Sequence, residues 1–140
     1  MRFERKSWRG LVVDDVISNC HATGMALSSL GGEITVANNG AEAVEIVRLA
    51  DQRGLAFDIV FTDVQMPVMG GIEATRLMRR LGFKGQIVAI SGSDEHNLPD
   101  RCLAAGCDEF IRKPASLEGL SRAVMRFFRP KCQSPAPTRA

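Results

Sequence analysis

At 140 residues, with 45% hydrophobic and 24% charged side chains, the chain has the balance of one globular domain with a good core and little beyond it. Its formal net charge of +2 is too small to argue for direct nucleic-acid binding, and no stretch approaches the roughly 18 apolar residues that a membrane span needs. The first ten residues are basic without an apolar h-region, so neither a signal peptide nor membrane insertion is expected, and a cytoplasmic location is.

The elements follow in chain order. Residues 1–7 form a basic lead with Arg2, Arg5 and Lys6. Leu11 to Val13 is an apolar run too short for a helix and is read as the first strand. Ala22, Ala26, Leu27 and Leu30 then share one helix face, with Gly31 available for a left-handed stop. Glu33 to Ala37 is the second strand. Asn39-Gly40-Ala41-Glu42 reads as a capping box before a helix with Ala43, Val47 and Ala50 on its inner face. Asp58 to Thr62 is the third strand, and Ile59-Val60-Phe61, apolar on both sides, fits the centre of a sheet covered by helices above and below. Ala74, Leu77, Met78 and Leu81 mark the third helix, and Gln86 to Ile90 the fourth strand. A short fourth helix is expected from near Leu98, where Pro99 suits a first turn, to near Ala105, with Gly106 as its stop. Glu109 to Ile111 is the fifth strand. Leu117, Leu120, Val124, Phe127 and Phe128 give the last helix, so the domain spans residues 8–129. Residues 130–140 hold Pro, Ser, Gln and Thr without a stripe and read as a disordered tail or a linker stump. Five rounds of strand and helix require a parallel, doubly wound α/β sheet, because crossovers are nearly always right-handed.

Cysteine and charge patterns add little. Cys20, Cys102, Cys107 and Cys132 form no C-x-x-C, and His21 and His96 complete no metal-ligand spacing, which points to reduced thiols filling a core. Arg122, Arg126, Arg129, Lys131 and Arg139 follow Glu118 with no acid among them. A solvated surface explains them; a docking face for an acidic partner is the alternative.

In an open parallel sheet ligands bind beyond the carboxyl ends of the strands. Asp14-Asp15, Asp63, Ser91 and Lys113-Pro114 stand at those ends. If the strands are neighbours, three carboxylates, a hydroxyl and an ammonium converge. Crowded carboxylates raise one another's pKa, and a divalent cation removes the repulsion. An all-oxygen donor set with room for water and phosphate favours Mg2+. The lysine then holds a phosphoryl group as a point charge, the serine donates to a phosphoryl oxygen, and Asp63 is a carboxylate nucleophile that forms an aspartyl phosphate.

VVDD, FTDVQMPVMGG, IVAIS and FIRKP, in this order and spacing, resemble the signature segments of response-regulator receiver domains over about residues 8–129. Asn19 and the CLAAGCDEF segment make the style closest to receivers of hybrid sensor histidine kinases. The resemblance implies a (βα)5 flavodoxin-like fold with strand order 2-1-3-4-5. It implies a phosphorelay in which a histidine kinase or histidine phosphotransfer domain donates a phosphoryl group to Asp63, with intrinsic autodephosphorylation rather than conventional turnover. By the same resemblance Asp15 is the direct Mg2+ ligand, Asp14 acts mainly through water, Asp63 ligates, and the Gln65 backbone carbonyl completes the protein ligands. Lys113 binds the phosphoryl group and precedes a cis proline, Pro114. Ser91 and Phe110 are the switch pair, which remodels the face of helix four, strand five and helix five toward a downstream protein partner. The Gln65 and Ser93 side chains tune hydrolysis.

The sequence also departs from the family. Gly70 stands where Asp is common, which loosens the loop after Asp63. Ser91 replaces the commoner Thr, and Gly92 follows where Ala is usual, so the Ser91 to Pro99 turn is expected to be mobile. Ordinary roles are open to each residue: a helix cap for Asp14 or Asp15, a turn for Asp63, a surface for Lys113 and His21, core packing for Phe110. A receiver-like binding module without phosphorylation is the second reading. A haloacid-dehalogenase-like phosphatase fails because no D-x-D follows the first strand, and neither G-x-x-x-x-G-K-[ST] nor G-x-G-x-x-G occurs.

Overall fold

The computed structural model describes residues 7–128. Strands and helices alternate throughout: β1 (Trp8–Val13), α1 (Ile17–Ser28), β2 (Gly32–Ala37), α2 (Gly40–Gln52), β3 (Ile59–Asp63), α3 (Gly71–Arg80), β4 (Gln86–Ser91), α4 (Leu98–Ala105), β5 (Glu109–Arg112) and α5 (Leu117–Phe128). The strands form one parallel sheet in the order β2-β1-β3-β4-β5, as expected.

The period of two along each strand divides the core in two. Leu11, Val13, Val60, Ile87 and Ala89 face the side covered by α2, α3 and α4, where Val47, Met78 and Leu98 pack. Val12, Ile59, Phe61, Val88 and Ile90 face the side covered by α1 and α5, where Leu27, Leu120 and Val124 pack. β3 lies at the centre and is buried along its whole length.

β1 begins three residues before its apolar run. Gly10 stands just before that run because the Trp8 ring lies across it. A Cβ at Gly10 would come within 2.6 Å of the ring, and one at Gly32 on β2 within 2.7 Å. The ring fills this slot, its Nε1 donates to the Leu30 carbonyl at 3.1 Å, and the side chain is fully buried.

Some helix faces differ from their stripes. Ala22 is exposed, and α1 turns Cys20 and Leu27 inward instead. Leu81 and Leu117 are half exposed: the first lies just past the end of α3 and the second opens α5, where no neighbour covers them. The capping box at α2 is shifted. The Asn39 side chain accepts from the Glu42 N–H at 2.9 Å, but the Glu42 carboxylate reaches the N–H of Asn38, one residue before the cap. α4 has the expected bounds, with Pro99 in its first turn, and Gly31 and Gly106 have positive φ. Cys20, Cys102 and Cys107 are buried free thiols, and burial pushes the Cys107 thiol up to about 11. Cys132, the proposed tail over 130–140 and residues 1–6 of the basic lead lie outside the described residues.

Candidate functional site

The register of the sheet brings the strand ends together. Val13 pairs with Thr62, and Asp63 with Ile90, so the chain leaves β1 at Asp14, β3 at Asp63 and β4 at Ser91 on one edge of the molecule. β5 hands on to Lys113, whose N–H donates to the Ser91 carbonyl at 2.9 Å and whose peptide bond to Pro114 is cis.

Asp14, Asp15 and Asp63 can each offer a carboxylate oxygen within 4.8 Å of the others. Asp14 and Asp63 are buried and Asp15 is exposed. One oxygen of each buried carboxylate is tied locally: Asp14 Oδ1 accepts from the Val16 N–H at 2.9 Å, and Asp63 Oδ1 from the Val64 N–H at 2.8 Å. The other oxygen of each faces Lys113, whose Nζ lies 3.4 Å from both. These contacts are long for charge-assisted hydrogen bonds, so the lysine offsets the negative charge without closing the site. Burial pushes the Asp63 pKa up. Lys113 pulls it down and Asp14 pushes it further up, and the net direction is upward. Burial works against the Lys113 charge, but Asp63 and Asp14 together outweigh it and its pKa is raised. An incompletely neutralised, all-oxygen set with this spacing fits a hard divalent cation.

Ser91 is buried, and its Oγ accepts from the Ser93 N–H at 3.1 Å. Phe110 is half-buried against the α3/α4 side of the core, and the Arg112 guanidinium lies over its ring at 5.7 Å. Gln65 is exposed and its Nε2 donates to Glu95 at 3.2 Å. The Ser91 to Pro99 turn carries a run of hydrogen bonds, with the Glu95 N–H on Ser93 Oγ at 3.0 Å and Arg112 on the Ser93 carbonyl at 2.9 Å. Gly70 is the uncapped residue before α3, and a Cβ there would lie 2.8 Å from the Val64 carbonyl. The loop thus approaches its own backbone too closely for a larger residue. Val68, with φ 71° and 82% exposure, is a β-branched residue in the left-handed region at the rim of this loop.

Two features escaped the sequence. A cavity of about 360 Å3 opens beside the carboxylates under α1, lined by Asn19, Ala22, Thr23, Phe61, Ile90 and Ala115 among others. The exposure of Ala22 follows from this gap. Glu95 also emerges as a partner of Gln65; nothing in the local pattern of the β4–α4 loop marks it.

The response regulator receiver domain model matches residues 11–125. The chain belongs to the response-regulator receiver family. It is 40% identical over 125 residues to Two-component response regulator ORR41 of Oryza sativa, covering 88% of this chain and 96% of that protein. Some relatives are far longer: the chain spans 17% of Two-component system protein A of Emericella nidulans, to which it is 37% identical over 119 residues, covering 84% of this chain. Among solved structures, the receiver resembles one of the CheX–CheY–BeF3–Mg2+ complex from Borrelia burgdorferi, with TM-score 0.78, 27% identity and coverage of 88% of this chain and 90% of that one. It also resembles a co-crystal structure of the Saccharomyces cerevisiae histidine phosphotransfer protein Ypd1 with the receiver domain of Ssk1, with TM-score 0.76, 26% identity and coverage of 91% and 92%. Among the described residues of the receiver no helix is long and apolar enough to cross a membrane.

Proposed function

We propose that this receiver accepts a phosphoryl group on Asp63 from a phosphohistidine and passes the change to a protein partner. The observation that carries the reading is the Asp63 carboxylate itself: buried at the end of the central strand, raised in pKa, beside two further carboxylates and facing one ammonium. Asp63 Oδ2 forms the new O–P bond as the donor's P–N bond breaks, and the imidazole nitrogen leaves with the electron pair. Lys113 holds a phosphoryl oxygen in place of its long contacts to Asp14 and Asp63. Asp14, Asp15, Asp63 and the Gln65 carbonyl would hold a Mg2+ ion, which would supply the remaining charge neutralisation. The relative solved with Mg2+ and BeF3 and the relative solved with a histidine phosphotransfer protein support the same cofactor and the same kind of donor here.

The Ser91 hydroxyl then exchanges the Ser93 N–H for a phosphoryl oxygen, Phe110 turns inward, and the face of α4, β5 and α5 is remodelled. Hydrolysis of the aspartyl phosphate resets the domain, tuned by Gln65 and Ser93. The test is incubation with Mg2+ and acetyl phosphate or a phosphorylated histidine phosphotransfer domain, read by intact-mass spectrometry. One added phosphoryl group is expected, absent in Asp63→Asn and in the presence of a chelator. A chain that takes no phosphoryl group from either donor is a receiver-like binding module instead.

A further inference from the structure

The β3–α3 and β4–α4 loops are joined by one carboxylate. Glu95 Oε1 accepts from Gln65 Nε2 at 3.2 Å, and Glu95 Oε2 pairs with Arg101 of α4 at 2.8 Å. The Glu95 backbone is fixed in turn, since its N–H donates to Ser93 Oγ at 3.0 Å. Gln65 stands two residues beyond Asp63 and Arg101 lies in the first half of α4, so the bridge runs from the phosphoacceptor loop across the mouth of the site to a switching helix.

We infer that Glu95 is a positioning residue for the Gln65 amide, and that through it Glu95 sets the lifetime of the phosphorylated state. The inference rests on the phosphoacceptor reading of Asp63. A primary amide has distinct ends, a donor and an acceptor. By taking the Nε2 donor, Glu95 fixes the orientation of the amide and leaves its Oε1 free to accept from a water. A free, exposed glutamine on a loop would hold no such orientation, because ordering a long side chain costs entropy that the bridge offsets. Arg101 holds the Glu95 carboxylate from the other side, and the charge makes that contact the shorter of the two. The pair with Arg101 is half exposed and contributes little to global stability, so its value lies in geometry.

The experiment is the decay of phosphorylated protein after removal of donor, in the full chain and in Glu95→Ala, Gln65→Ala, the double variant and Glu95→Gln. Loss of one ordering hydrogen bond should slow hydrolysis by about threefold to tenfold in Glu95→Ala. Gln65→Ala should slow it at least as much, and the double variant should decay no more slowly than Gln65→Ala alone, since Glu95 acts through that side chain. Glu95→Gln, which keeps an acceptor for the Gln65 amide, should return the rate to within about twofold of the parent. Glu95→Ala and Glu95→Gln should each still take up one phosphoryl group, and slower decay should raise the steady-state level rather than lower it. Multiplying effects in the double variant, an unchanged rate in Glu95→Ala, or faster decay would overturn the inference while leaving the phosphoacceptor reading intact. A parent chain that takes no phosphoryl group overturns both.

Discussion

The two ends of the sheet are built to different standards. At the amino end Arg79 and Asp58 close off the polar groups around them. Arg79 donates to the carbonyls of Phe83, Gly85 and Gly106 and to Asp108 at 2.8–3.0 Å, and its guanidinium lies over the Phe83 ring. Asp58 accepts from the Arg9 N–H at 2.9 Å, and the Trp8 ring fills its glycine slot. At the carboxyl end two buried carboxylates share one lysine at 3.4 Å, and an exposed third stands beside them. One end is fitted for stability. The other keeps charge uncompensated, and burying it without a close partner costs stability. The difference separates the residues that hold the fold from those proposed to do chemistry on it.

That separation can be tested from both sides. The largest effect should come from Asp63→Asn, which removes all phosphoryl uptake and yet should melt above the parent at neutral pH. The sign follows from the raised pKa. An acid whose folded pKa lies above its unfolded value favours folding when protonated, an advantage lost as pH rises through the folded pKa. The gain from Asp63→Asn should therefore be largest at neutral pH and shrink as pH falls toward the ordinary value of 3.8. Thermal melts across that range measure it, and a variant that melted below the parent at pH 7 would erase the contrast between the ends. Trp8→Ala should do the opposite. It should cost about 3–5 kcal/mol in chemical denaturation, through the cavity left in the slot, while the folded fraction still takes a phosphoryl group. Asn39→Ala, which removes the α2 cap contact to the Glu42 N–H, should cost about 1 kcal/mol and leave uptake unchanged.

Much of this was legible in the sequence, for identifiable reasons. The strand at Ile59-Val60-Phe61 is apolar on both faces because helices cover both faces, and the short fourth helix is framed by Pro99 and Gly106. Asp14, Asp15, Asp63, Ser91 and Lys113 were found because strand ends in such a sheet share an edge, which topology alone dictates. The failures concern contacts made at a distance in the chain. The first strand reads as starting at Leu11 until Trp8 is seen lying over Gly10 and Gly32. Ala22 reads as core until the cavity beneath α1 is seen. Glu95 is one of two acids in its loop, and only its meeting with Gln65, thirty residues earlier, distinguishes it. The Trp8 ring stands at the opposite end of β1 from Asp14, so its fluorescence follows unfolding rather than cation binding.

The slot around Trp8 also constrains how this sequence can drift. The indole and the two missing side chains at Gly10 and Gly32 occupy one volume. Neither glycine accepts a methyl group while the indole stays, and a lost indole leaves a void that two larger residues would refill. Lineages descending from this chain should therefore change positions 8, 10 and 32 together, by compensated steps, while the surfaces around them diverge one residue at a time.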